Sequence, residues 1–150
     1  MSVLKLDGAN GVIAYPKKIV SALANGTIAI GDVVKVETDT SATPDPDTYG
    51  AAGFVVTATA ESNSPLAVGV AVTAAVDLGT VQIQASGFND ACTSAEAISI
   101  GEAVGGSNNG DVRQWDTESA TAQPFAVCVN AFAGTTNDGA ILITDKGWFG

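Results

Sequence analysis

Histidine is absent from the 150 residues of this chain. Histidine is the usual general base near neutral pH and the commonest metal ligand, so its absence excludes Ser-His-Asp, Cys-His and His-Glu-x-x-His chemistry. Paired carboxylates are the remaining acid–base candidates, and the sequence offers two such pairs, Asp45 with Asp47 and Asp111 with Asp116. Both pairs fall in predicted loops or at strand ends, where a solvated surface is the simpler interpretation. The sequence therefore predicts that the protein is not an enzyme.

Cysteine is scarce, with two residues in the chain. Cys92 and Cys128 are too few and too far apart in the sequence for a disulfide framework or a zinc ribbon. Cys128 stands between two valines, which indicates a small buried thiol in a strand. Cys92 stands in a polar loop and is expected to be a free thiol.

Motifs for metals and cofactors are lacking as well. Two stretches, residues 39–47 and 108–111, carry carboxylate and amide oxygens, but neither has the ligand order of an EF-hand or a calcium-binding nonapeptide repeat. Gly105, Gly106 and Gly110 lack the spacing of a Walker or dinucleotide-binding motif, so hairpin turns explain them better. We expect neither a metal nor a cofactor.

Basic residues are few, six against sixteen acids, and the net charge is -10. This charge repels nucleic acid phosphates and anionic membrane surfaces, so neither is an expected partner. Lys5, Lys17 and Lys18 lie in the first eighteen residues against Asp7 alone, which leaves that segment at +2 and the remainder at -12. The contrast favours an amino-terminal arm, residues 1–18, that docks on a partner. The alternative is that so few lysines cluster there by chance.

Long hydrophobic runs are also missing. The first residues lack the apolar central run of a signal peptide, and no stretch approaches the length needed to cross a bilayer. We expect a protein made and folded in a cytoplasm.

Aromatic residues make up 6% of the chain, and its apolar content is mostly alanine and valine. The core should therefore be thin, and association with further copies is expected to supply additional burial. Trp148 and Phe149 fall in the last three residues. Because termini stay disordered unless they are tied down, we expect this tail to dock, either on its own domain or on a neighbouring subunit or partner.

What the chain does contain is an internal repeat. Residues 65–70 align with residues 124–129, residues 79–83 align with residues 139–143, and each copy is preceded by a similar run, residues 28–34 and residues 98–104. Two copies are too few for a solenoid. The repeat therefore predicts one compact body built from two similar halves.

Period-2 alternation of apolar and polar residues predicts the strands. They are expected at residues 33–37, 54–60, 66–73, 80–85, near 103–104, 112–115, 125–131 and 140–144. Residues 17–24 are predicted instead to form one or two helical turns. Short strands separated by Gly, Asn and Asp turns indicate an all-β barrel or sandwich, residues 19–150, that follows the arm. The acidic loop at residues 39–48 is expected to lie on the surface.

The duplicated run apolar-x-apolar-Gly-acid-x-Val at residues 28–34 and 98–104 is followed by Ala-Val-Gly-Val-Ala at Ala67–Ala71 and by Gly-x-Val-x-Ile at residues 79–83. This order resembles the head decoration, or capsid cement, proteins of tailed bacteriophages, over roughly residues 28–144. The resemblance implies a small β-tulip-like domain, a homotrimer, and an arm laid over the major capsid protein on the exterior of the virion. The second Gly-Val-Ala is replaced by Val127 to Asn130, and the acidic loop is not shared.

The function implied by the resemblance is mechanical, because a protein that bridges capsid subunits adds contacts that must break together. The arm residues expected to contact the capsid are Val3, Leu4, Leu6, Ile13 and Tyr15, with Lys5, Lys17 and Lys18 as steering charges. The alternatives are a subunit of a tail, fibre or surface layer and, from another class, a carbohydrate-binding module or a carboxylate-dependent hydrolase.

Overall fold

The structure, a computed structural model, describes residues 6–7, 12–13, 17–38, 54–60, 67–115 and 124–144. These residues form strands and no α-helix, which confirms the predicted all-β class. The strands are β1 (Leu6–Asp7), β2 (Val12–Ile13), β3 (Lys18–Ala24), β4 (Val33–Val36), β5 (Val55–Ala58), β6 (Ala67–Ala71), β7 (Thr80–Asn89), β8 (Ala103–Gly106), β9 (Val112–Gln114), β10 (Ala126–Asn130) and β11 (Ala140–Ile143). A short 3-10 turn, Asn108–Gly110, separates β8 from β9.

The first half of the body is a closed barrel. Its strands follow the order β3, β5, β4, β6 and β7, and β7 pairs again with β3. The contact between β3 and β5 is parallel and the other four are antiparallel. Its interior is filled by small and β-branched side chains, which suit a narrow barrel. They are Ala22, Ala24, Ile28, Val34, Val56, Val68, Ala71, Val81 and Ile83.

The second half closes into a ring of its own, and β7 belongs both to the first barrel and to this second ring. The end of β7 pairs with β11, and the order continues through β10, β8 and β9. A parallel bridge between Ser94 and Val112 closes this second ring. Thr93 O accepts a hydrogen bond from Val112 N at 2.8 Å, and Ala95 N donates to Val112 O at 2.8 Å. The segment that follows β7 thus takes the place in the second ring that β3 takes in the first.

The backbone hydrogen bonds confirm the two similar halves and correct their alignment. Ala71 N donates to Asp32 O at 2.8 Å, and Cys128 N donates to Glu102 O at 2.9 Å, so Ala71 corresponds to Cys128. The sequence alignment placed Gly69 opposite Cys128, two residues out of register. Because side chains in a strand alternate with period 2, an error of two residues leaves every side chain on the correct face.

The two halves share a core across β4 and β6. All five residues of β6 are buried, which explains its unbroken apolar sequence. Val34 and Val68 belong to the interior of the first barrel, whereas Val33 and Val70 pack with the interior of the second ring. Gly69 lies so close to the carbonyl of Gln84 on β7 that a Cβ would overlap it, so glycine allows the close approach of these two strands.

Three local predictions are wrong. Residues 17–24 were expected as helical turns, but Lys18–Ala24 is a strand paired on both edges. Gly105 and Gly106 were expected in a turn but pair with β9 as the end of β8. Gly106 is required there because a Cβ would lie 2.8 Å from the Thr59 methyl carbon. Cys92 was placed in a polar loop, yet its side chain is buried in the core of the second ring.

Candidate interaction surfaces

The body begins and ends at neighbouring positions of β7. Lys18, the first residue of β3, pairs with Ser86. Ile143, the last residue of β11, pairs with Gly87. Paired residues on adjacent strands are about 5 Å apart. The segment before β3 and the segment after β11 therefore meet the body at the junction of the two rings.

The structure describes only part of the predicted arm. Leu6 pairs with Ile13 in the short antiparallel contact between β1 and β2. Lys17 is exposed, and Lys18 is part of β3. The other arm residues, Val3, Leu4, Lys5 and Tyr15, and the tail residues Trp148 and Phe149 lie outside the described residues. The predicted capsid contacts, and the boundary between arm and domain after residue 18, stay predictions.

Large apolar side chains are exposed at seven described positions: Ile19, Ile30, Val76, Leu78, Phe88, Ile100 and Val129. Four of them form two corresponding pairs in the two halves. Ile19 and Phe88 are the first pair, because Ile19 lies opposite Gln84 and Phe88 lies opposite Leu142, the counterpart of Gln84 in the second ring. Ile30 and Ile100 are the second pair, the middle apolar residues of the duplicated run. The repeat in the sequence therefore pointed to these two residues, but it did not predict that their side chains face outward.

The turns that carry Ile30 and Ile100 have the same geometry. Asp32 N donates to Ala29 O at 3.2 Å, and Glu102 N donates to Ser99 O at 3.2 Å. In each turn the acidic side chain also accepts a hydrogen bond from the backbone. Ala29 N donates to Asp32 Oδ2 at 2.8 Å, and Ser99 N donates to Glu102 Oε2 at 2.7 Å.

A glycine follows each isoleucine, with φ of 92° at Gly31 and 91° at Gly101. A positive φ at the third position defines a type II turn, in which glycine is favoured. The turn therefore explains the glycine and the acidic residue of the motif Ile-Gly-acid, but it does not explain the isoleucine.

The surroundings of the two turns differ. A Cβ on Gly31 would overlap the carbonyl oxygen of Ala91, whereas a Cβ on Gly101 would meet no atom within 4 Å. Gly31 thus packs against the second ring, and the turn at Gly101 is open. The 3-10 turn adds a second contact between the halves, because Gly110 N donates to Thr59 O at 2.9 Å and Thr59 Oγ1 donates to Ser107 O at 2.6 Å.

Two carboxylates face this junction. Burial raises the pKa of Asp32, although the hydrogen bond from Ala29 N opposes the rise. Burial, together with the negative charge of Asp32, also raises the pKa of Asp111. Among the described residues, no group of three or more His, Cys, Asp or Glu side chains is arranged to hold a metal ion. Four further acidic candidates, Asp39, Asp45, Asp47 and Asp116, lie outside the residues that the structure describes.

The two thiols are poor nucleophiles. Cys92 and Cys128 are both free and buried, which confirms the predicted burial of Cys128. Burial is the main cause that raises the pKa of Cys92 to about 12, and burial also raises the pKa of Cys128. The thiolate is the reactive form of cysteine, so neither residue is poised for covalent chemistry in the folded body.

No helix in the described ranges is long and apolar enough to cross a lipid bilayer.

Comparison with known proteins gives a likeness of fold. No family model and no curated protein matches the sequence. Among solved structures, the body is similar to the N base of the head fibre protein gp8.5 of bacteriophage phi29. The match has a TM-score of 0.59 at 14% sequence identity and covers 87% of this chain and 96% of that one. The match is a likeness of fold that extends over most of both chains.

Proposed function

We propose that the protein is a structural component of a phage virion that decorates the exterior of the head and stabilises it by bridging subunits of the major capsid protein. The observation that carries this proposal is the likeness of the whole fold to the base of a phage head fibre. The duplicated motifs, which resemble head decoration proteins, point to the same class independently.

The arrangement of the body suits attachment by its terminal segments. Residues 1–18 carry +2 and the rest of the chain carries -12, so an acidic patch on the capsid would attract the arm. Apolar contact contributes about 25 cal/mol per Å² buried, and it accumulates along an extended segment. Three arms on one homotrimer would bind with an avidity that a single arm lacks.

The proposal includes no catalytic step, cofactor or nucleic acid partner. The burial and raised pKa values of the two thiols support the absence of cysteine-based chemistry from the proposal. We propose synthesis in the host cytoplasm followed by addition to the outside of the assembled head.

A fibre subunit is the second candidate, because the similar solved structure belongs to a head fibre. The two candidates differ in assembly: a decoration protein forms a small closed oligomer, whereas a fibre grows by head-to-tail contacts that do not close.

Binding to purified heads tests the proposal. The full chain is mixed with empty, expanded heads of the encoding phage and sedimented, alongside a chain that lacks residues 1–16 and a Lys17→Glu variant. We expect the full chain to sediment with the heads, the truncated chain to stay folded but unbound, and the Lys17→Glu variant to bind more weakly at low salt. Full binding by the truncated chain would remove the arm from the mechanism, and no binding by the full chain would contradict the proposal itself.

A further inference from the structure

We propose that Ile30 and Ile100 are paired docking residues, one in each ring, and that each inserts into an apolar pocket with a basic rim on neighbouring copies of the capsid subunit. This inference rests on the proposed function and adds a partner surface for the body itself. It starts from the two turns, whose other residues all have a role in the fold.

The isoleucines have no such role. In each half, the first residue of the run, Ile28 or Ile98, fills the core at no more than 1% exposure. The glycine supplies the positive φ, and the acidic side chain accepts a hydrogen bond from the backbone of the turn. Ile30 and Ile100 are 61% and 67% exposed. The second position of a type II turn favours proline, so neither the turn nor the core requires isoleucine there.

The two halves have diverged enough for an unused isoleucine to be lost. At equivalent positions of corresponding strands, the first half has Ala71 where the second has Cys128, and Gln84 where the second has Leu142. The surroundings of the turns have diverged too, since Gly31 packs on the second ring and Gly101 does not. An exposed isoleucine that persists in both turns, despite these differences, indicates a contact outside the chain.

The net charge of the body indicates the chemistry of the partner. Both turns belong to a body that is strongly acidic, since the residues outside the arm carry a net charge of -12. A surface that receives such a turn therefore needs an apolar pocket for the side chain and basic groups around it. Because the chain presents the same turn twice, a partner surface that itself repeats can receive both turns. Adjacent copies of one subunit in a regular shell form such a surface.

Serine substitutions test this inference on the full chain. We would measure the affinity of Ile30→Ser, Ile100→Ser and the double variant for empty, expanded heads. Each single change is expected to weaken binding by at least about tenfold, the order of magnitude for losing one buried aliphatic side chain. The double change is expected to weaken binding by about the product of the two, because each side chain is proposed to fill a pocket of its own.

The matched control is Val76→Ser. Val76 is 70% exposed, but its counterpart in the second ring is Ala133, next to Phe132, so it lacks an apolar twin. We expect this variant to bind like the unchanged chain, and all four variants to keep their melting temperature. An equal loss of affinity in Val76→Ser would show general apolar adhesion and overturn the inference.

Other outcomes separate this inference from the proposed function. If the unchanged chain binds heads and the double variant binds equally well, the docking role is wrong and the proposed function stands. If the double variant loses its own oligomeric state and not its affinity for heads, the isoleucines face another copy of this chain, which overturns the assigned partner. If the unchanged chain does not bind heads at all, both proposals fall together.

Discussion

At the residue scale, the clearest contrast is between two glycines with the same backbone conformation. Gly31 and Gly101 have φ of 92° and 91°, but only Gly31 packs against another backbone. We expect Gly101→Ala to lower the free energy of unfolding by about 1–2 kcal/mol, the cost of a left-handed residue with a side chain. Gly31→Ala should cost about 1–3 kcal/mol more, because the added methyl also overpacks the junction.

Urea denaturation of both variants under identical conditions gives the comparison. The difference between the two costs isolates the packing of the junction, since the backbone strain is common to both. Equal losses would mean that the first turn does not press on Ala91, and the account of the junction would then be wrong.

Titration of two carboxylates provides a second prediction at this scale. The pKa of Asp111 is raised by burial and by Asp32, so the folded state holds its proton more tightly than the unfolded state. The contribution of Asp111 to stability is therefore present below its unfolded pKa and is lost as pH rises through its folded pKa. We expect Asp111→Asn to raise the melting temperature at pH 7 and to change it little at pH 3.

Asp138 is the control of opposite sign. The hydroxyl of Thr136 donates a hydrogen bond to its carboxylate and lowers the pKa of Asp138. Its contribution is present above the unfolded pKa and is lost as pH falls, so Asp138→Asn should lower the melting temperature at pH 7 and not at pH 3. Thermal unfolding of the unchanged chain and the two variants at pH 3 and pH 7 tests both predictions. A rise in the melting temperature of both variants at pH 7 would show only a general effect of reducing the negative charge.

At the element scale, β7 joins the two rings, and the buried side chain of Gln84 bonds the backbone of this strand where the two rings meet. Gln84 is 1% exposed. Its Nε2 donates to Phe88 O at 2.8 Å and to Ser86 O at 3.2 Å, and its Oε1 accepts from Asn89 Nδ2 at 3.1 Å. The side chain of Gln84 thus satisfies the backbone where β7 passes from the first barrel to the second ring.

Removing this side chain should be costly. Gln84→Ala leaves buried polar groups without partners, and each such group costs about 1–3 kcal/mol, so we expect a loss of about 2–4 kcal/mol in the free energy of unfolding. Gln82→Ala is the matched control on the same strand, because Gln82 Nε2 bonds Ser21 Oγ at an exposed site. It should cost less than about 1 kcal/mol. Similar losses for both variants in urea denaturation would contradict the role of Gln84.

The sequence predicted most strands because their side chains alternate in polarity, but it did not predict β3. Small residues such as Ala22 and Ala24 fill the barrel there, and they carry little contrast between buried and exposed faces. Nor was the sharing of β7 predictable: the expected strand ended at residue 85, and the continuation through Gly87 depends on pairing with β11, more than fifty residues away. The alternation of polarity is local, whereas ring closure depends on distant contacts.

The candidate surfaces were predicted less completely than the fold. The duplicated run drew attention to the two turns, and the glycine and acid in it have roles that follow from turn chemistry. The outward direction of Ile30 and Ile100 was not predictable, since an apolar residue between two others of a strand-like run is equally consistent with a buried face. The predicted arm and tail contacts lie largely outside the described residues, so they stay predictions.

At the scale of the whole molecule, the two rings share a strand and a core, which favours a rigid unit over two hinged domains. Val33 and Val70 come from the first half but pack with the interior of the second. Separating the rings would expose these side chains to water at about 25 cal/mol per Å². A rigid body of this kind holds Lys18 and Ile143, the first residue of β3 and the last of β11, at neighbouring positions of β7.

The assembly state of the purified chain distinguishes the two proposed classes. A homotrimer has closed symmetry, so size-exclusion chromatography with light scattering should give three chain masses over a wide range of concentration. A fibre subunit that associates head to tail should give a mass that grows continuously with concentration. We expect the closed trimer, because the five exposed large apolar side chains other than Ile30 and Ile100 offer area for self-association, and bridging of a shell requires a finite object. Steady growth of the mass would favour the fibre. A monomer at every concentration would contradict the trimer and leave attachment to depend on single arms without avidity.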